Sequence, residues 1–82
     1  MKLLVNIFVP AISERYDIWV PPLLRIKTVS SMLAEIVEQL SNHRYIKSGD
    51  ERLCSVEKEI TLRESANLKQ YGIRNGDHLI LM

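Results

Sequence analysis

The sequence predicts an α+β fold, with a mixed sheet of four to five strands packed on one main helix. Three patterns carry that expectation. The N-terminal run Leu3–Val9 alternates at period two, and a second alternating run follows after Pro10 and Ser13. Val29, Met32, Leu33, Ile36, Val37 and Leu40 recur at the three- and four-residue spacing of a single helical stripe. The chain closes on another alternating run, His78–Met82.

In the first run Leu3, Val5, Ile7 and Val9 share one face, while Leu4, Asn6 and Phe8 share the other. The second run, Arg15–Val20, sets Tyr16, Ile18 and Val20 against Arg15, Asp17 and Trp19. The short connection between the runs makes them a β-hairpin. Pro21-Pro22 ends the second strand because prolines supply no ladder donor. Thr28 is the expected N-cap of the helix, with Ser30, Ser31, Glu35, Glu38 and Gln39 on its wet side and Ser41-Asn42 at its exit. Asn42–Glu51 is polar, contains Gly49-Asp50 and reads as loop. Arg52–Glu57 reads as a weaker strand with Leu53, Cys54 and Val56 as its apolar members, and Ile60 with Leu62 as another. Ser65–Ile73 reads as a single helical turn closed by Gly72, and Arg74-Asn75-Gly76-Asp77 as a tight turn. A helix with one apolar stripe has to lie on an apolar sheet face. The first and last strands are the most apolar and so belong together in the middle of that sheet. The order of hairpin, helix, two short strands, one turn and final strand is that of a β-grasp. Residues 1–82 are read as one such domain.

Composition excludes several function classes. Eleven basic and ten acidic residues leave a net charge of +1, so no strong positive field exists to hold nucleic acid. None of the three glycines sits at phosphate-cradle spacing. A single cysteine, Cys54, excludes a disulfide framework and a four-cysteine zinc site, and favours a reducing, cytoplasmic setting. The apolar N-terminal stretch is too short for a signal-peptide core, and no apolar run reaches membrane-spanning length, so direct membrane insertion is not expected. Cys54 and His78 fall on strands that could be adjacent, but a working nucleophile also needs an orienting third group and a pocket. Cys54 therefore reads as a small strand residue. His43 and His78 have no organised carboxylate partner in sequence. No catalytic, cofactor-binding or metal-ligating residue is expected, and no cofactor.

The informative residues are apolar side chains on the unexpected face. If the odd-numbered positions of the first strand face the helix, alternation sends Leu4, Phe8, Trp19, Ile80 and Met82 outward. On neighbouring strands these five would cluster as a protein-binding surface, for a protein partner or for a second copy in a homodimer. The competing expectation is that Pro21–Ile26 folds over part of the patch, or that Trp19 merely covers a sheet edge.

The last third, RLCSVEKEI…NLKQYGIRNGDHLILM, resembles the closing half of ubiquitin-like domains through Arg52-Leu53-Cys54, then Leu68, Tyr71 and Ile73, then the terminal strand. The resemblance implies that Tyr71 packs against and hydrogen-bonds its own short loop. It also implies that the sheet face serves recognition, as it commonly does in such domains. Tyr16-Asp17-Ile18-Trp19-Val20-Pro21, followed by Leu24, Ile26-Lys27 and the helix, then Gly72-Ile73 and Asn75-Gly76-Asp77, is similar to the YukD/EsaB family over essentially the whole chain. Those are small ubiquitin-like proteins associated with type VII (WXG100, ESX-type) secretion in Gram-positive bacteria. The resemblance implies a non-enzymatic cytoplasmic accessory or regulatory protein whose partner is a secretion component. Modifier and sulfur-carrier relatives act through a C-terminal Gly-Gly, whereas this sequence closes on Met82. A β-grasp adaptor of another pathway is the remaining alternative.

Overall fold

In the computed structural model, which describes residues 1–82, the hairpin pairs β1 (Leu3–Val9) with β2 (Glu14–Val20) in an unbroken register from Leu3↔Val20 to Val9↔Glu14. Pro10 opens the 3₁₀ turn between them, and Ser13 closes it in the left-handed region at φ 54°. After α1 (Ile26–Leu40) come β3 (Leu53–Ser55), β4 (Ile60–Thr61) and β5 (His78–Leu81). The five-stranded sheet runs β2-β1-β5-β3-β4, with β5 parallel to β1 and every other pair antiparallel. The first and last strands thus lie side by side in the middle, as their apolar content predicts.

The helix begins at Ile26 rather than after Thr28, which is exposed in the first turn and caps nothing. The cause is tertiary. The Ile26 and Lys27 N–H groups donate to the carbonyls of Ala66 and Glu64, at 2.8 and 3.1 Å. A neighbouring loop therefore satisfies the donors that a side-chain cap would otherwise take. The buried face is rotated as well. Ile26, Val29, Ser30, Leu33, Ala34 and Val37 are buried, Met32 and Ile36 are partly so, and Leu40 is 59% exposed. Ser30, expected on the wet side, is instead in the core. Its hydroxyl donates to the Ile26 carbonyl at 2.7 Å, so it is buried without an unmet hydrogen bond. Small side chains at positions 30 and 34 let the helix axis approach the sheet.

Ser65–Ile73 is a chain of turns, not a helical turn. Asn67 and Gln70 exchange reciprocal side-chain-to-backbone bonds at 2.8 and 2.9 Å, and the Ile73 N–H returns to the Leu68 carbonyl. This local wrapping is what lets Ala66, Leu68 and Ile73 all reach the core. The weaker strands are shorter than the sequence suggests. Leu62 lies past β4 but is buried, with its N–H on the Leu53 carbonyl.

The polar loop after α1 also enters the core. Tyr45 belongs to the cluster of 18 buried hydrophobic residues, and Glu51 is only 5% exposed. The Tyr45 hydroxyl donates to Glu51 Oε2 at 2.6 Å, and the Ser48 and Gly49 N–H groups donate to the same carboxylate at 2.7 and 3.0 Å. Burial alone would raise the Glu51 pKa, but these donors outweigh it and bring it down to about 2. Tyr45 is shifted upward, by burial first and then by its bond to Glu51.

Gly76 closes the Asn75-Gly76 turn at φ 87° while its N–H donates to the Leu4 carbonyl at 2.8 Å. A Cβ there would meet no atom, so Gly76→Ala isolates the backbone cost. We expect a loss of about 1–2 kcal/mol in urea unfolding.

Candidate functional site

The face of the sheet away from α1 is built in rows set by strand register. Trp19 lies opposite Leu4, Asp17 opposite Asn6, and Arg15 opposite Phe8 on the hairpin. On the other side of β1, Asn6 faces His78 and Phe8 faces Ile80, and Ile80 in turn faces Cys54. Met82 continues the Ile80 side past the end of β5, held by backbone hydrogen bonds in both directions with Arg52. Trp19 and Met82 are 58% and 59% exposed, while Leu4, Phe8 and Ile80 are half-buried. The Pro21–Ile26 segment leaves Trp19 open and carries its own exposed Leu23 and Leu24.

The structure brings Leu4 to Trp19 and Phe8 to Ile80, but separates the two pairs with a polar row. In that row the Asn6 side-chain amide donates to Asp17 Oδ1 at 3.0 Å, and His78 Nδ1 lies 2.6 Å from Glu57 Oε2. Burial pushes the Glu57 carboxyl up, but the His78 ring and backbone N–H bonds hold it below its ordinary range. The Arg15 guanidinium lies over the Phe8 ring, 4.5 Å from its centroid. A shallow groove follows, lined by Asn6, Phe8, Arg15, Val56, His78 and Ile80.

Sequence reasoning missed Val56 and Ile60, which are 45% and 42% exposed beside Ile80 and extend the apolar surface towards β4. The sequence places Val56 among the apolar members of a strand, but β3 ends at Ser55 and Val56 lies just beyond it. The usable signal was the alternation Leu53/Ser55 against Cys54/Val56, which turns Val56 outward once Leu53 is placed inside.

Cys54 and His78 do not meet. The Cys54 thiol sits 3.5 Å from the Thr61 hydroxyl, and the His78 ring is engaged by Glu57. No three His, Cys, Asp or Glu side chains converge, and no helix is long and apolar enough to cross a membrane. The Tyr71 hydroxyl oxygen accepts the Arg63 N–H at 3.0 Å, the loop contact that the ubiquitin-like resemblance implies, and that bond lowers its pKa.

One helix across a mixed sheet in the order β2-β1-β5-β3-β4, with a tyrosine tying down its own loop, defines a ubiquitin-like β-grasp protein. Within that class, residues 4–81 match the family described as WXG100 protein secretion system (Wss), protein YukD, and the chain belongs to that family. Its fold is similar to the EccD5 ubiquitin-like domain from Mycobacterium xenopi, at TM-score 0.81 and 17% identity, covering 100% of this chain and 93% of that one. It is similar to a chain of the MycP5-free ESX-5 inner membrane complex, at TM-score 0.80 and 14% identity, covering 99% of this chain but only 20% of that longer one. The ubiquitin-like domain of an Arabidopsis thaliana protein matches at TM-score 0.73 and 19% identity, covering 99% and 76%. No curated protein sequence matches the chain.

Proposed function

We propose that this protein is a non-enzymatic accessory or regulatory component of a type VII secretion machine, working from the cytoplasm by binding another protein. The observation that carries this reading is the YukD family match over residues 4–81. The fold likeness to a domain named for EccD5 and to a chain of an ESX-5 complex supports the same setting. The docking surface in this reading is Leu4, Phe8, Trp19, Ile80 and Met82, with Val56 and Ile60 extending it. Tryptophan and half-buried aliphatic side chains are the groups whose burial contributes most at interfaces. Arg15, Asp17, Glu57 and His78 supply the polar contacts that set orientation.

The test is a secretion assay. In a host lacking the gene, the double variant Trp19→Ser/Ile80→Ser is expected to fold, as judged by circular dichroism, yet to leave WXG100 substrates unsecreted. Trp19→Ser alone changes an exposed side chain and should shift stability by no more than about 0.5 kcal/mol. Full secretion by the folded double variant overturns the docking face. Recovery of the protein at a mass showing covalent attachment to another chain overturns the non-enzymatic binding role.

A further inference from the structure

The sheet has one long open edge. Strand β4 at one side has only two residues, whereas β2 at the other has seven, with no proline and no break in its register with β1. Unprotected edges of that length are templates for strand pairing.

The direction of each backbone group on β2 follows from its neighbours. Asn6 donates to Asp77 and Leu4 accepts from Gly76, so the even-numbered residues of β1 hydrogen-bond towards β5. The odd-numbered residues therefore pair with β2, through Leu3↔Val20, Val5↔Ile18 and Ile7↔Tyr16. It follows that the N–H and C=O groups of Arg15, Asp17 and Trp19 point out from the free edge. Their side chains, all exposed, stand on the face away from the helix. At the start of the strand, Arg44 reaches Glu14 and the Ile12 carbonyl, which confines free pairing to the stretch beyond Glu14.

We propose that two copies of this chain pair antiparallel along their β2 edges, about a two-fold axis at Tyr16, continuing one sheet into the next. Charge selects the second copy as the occupant. Arg15 and Asp17 carry opposite charges two residues apart on one face. An antiparallel two-fold at Tyr16 sets Arg15 of each copy opposite Asp17 of the other, as hydrogen-bonded pairs, and stacks the two Tyr16 rings across the axis. An axis at Asp17 opposes two carboxylates, and an in-register parallel pairing opposes arginine with arginine. Only one register is complementary, and it is complementary to itself. The contact is small beside a standard interface, so the dimer forms with rising concentration rather than being permanent. In the dimer the two outer faces are continuous, giving a partner a doubled surface.

Sedimentation equilibrium over rising protein concentration tests this. The unmodified chain is expected to dimerise. R15D and D17R alone each oppose like charges and should weaken association at least about tenfold. An equimolar mixture of the R15D and D17R chains should associate again, because every facing pair is then opposite in charge. Asp17→Pro should abolish pairing yet fold, since the N–H it removes points away from β1. A chain that stays monomeric at every concentration overturns the proposal and leaves the edge to a foreign strand. A mixture that associates no better than its components overturns it too. Either failure leaves the secretion role standing, because that role is read in a secretion assay and not by mass in solution.

Discussion

Leu33→Ala is expected to lower unfolding stability by about 2–5 kcal/mol, towards the upper end of that range. Leu33 is fully buried at the middle of the α1 face that covers the sheet, and it is among the largest side chains with no exposure. Truncation removes its transfer free energy and leaves a cavity between a helix and a sheet, neither of which can collapse independently. In a small domain with one core, that is a large share of total stability. Ile36→Ala serves as the internal comparison. Ile36 is only partly buried, so it should fall near the lower end of the range. Urea unfolding of both variants checks the rotation of the helix. A Leu33→Ala loss below about 1 kcal/mol, typical of surface positions, would place that side chain outside the core.

Glu51→Ala should cost roughly 2–4 kcal/mol, although it removes no apolar contact. The carboxylate is the acceptor for the Tyr45 hydroxyl and for the Ser48 and Gly49 N–H groups, and all three lose their partner together. Glu51→Gln should also destabilise, because an amide presents N–H donors where the site supplies only donors. The same carboxylate sets a pH dependence. Its folded-state pKa is depressed from 4.5 to about 2, so its contribution is fully present above pH 4.5 and disappears as pH falls from there to about 2. Acid titration of thermal stability should therefore show a steeper loss across that window for the native chain than for Glu51→Gln. Equal slopes would mean that the carboxylate is not held by these donors in the folded state.

The same loop shows why part of this molecule was hidden in its sequence. Asn42–Glu51 has no periodicity, and its composition marks it as solvated loop. Tyr45 and Glu51 become interior groups only because the Ser41 hydroxyl accepts the Tyr45 N–H and Glu38 Oε1 accepts the Lys47 N–H, folding the segment back against the helix end. The alternation of β1 and β2, by contrast, was readable residue by residue. A strand with one buried face has only two registers, and a shift of one residue would bury Asn6 and Asp17. The helix was legible in kind but not in rotation. Val29, Leu33 and Val37 fit both the predicted stripe and the observed one, and only docking decides between Met32/Ile36/Leu40 and Ser30/Ala34 as the second column.

The candidate face divides in the same way. Alternation alone sends Leu4, Phe8, Trp19 and Ile80 away from the helix, because side-chain direction in a strand is a local property. That a polar row of Asn6, Asp17 and His78 separates the two apolar pairs depends on the order β2-β1-β5, a non-local pairing. Local periodicity, turn chemistry and charge balance thus specified the elements, the class of fold and the absence of a strong field. Three features came only with assembly: where the helix starts, which of its columns is buried, and how a loop carboxylate finds its donors. The helix start and the buried column are contacts between segments far apart in the chain, and such a contact has free energy only once both segments are in place. The carboxylate's donors lie within residues 45–51, and that shorter-range set is buried because the loop folds back against the helix end.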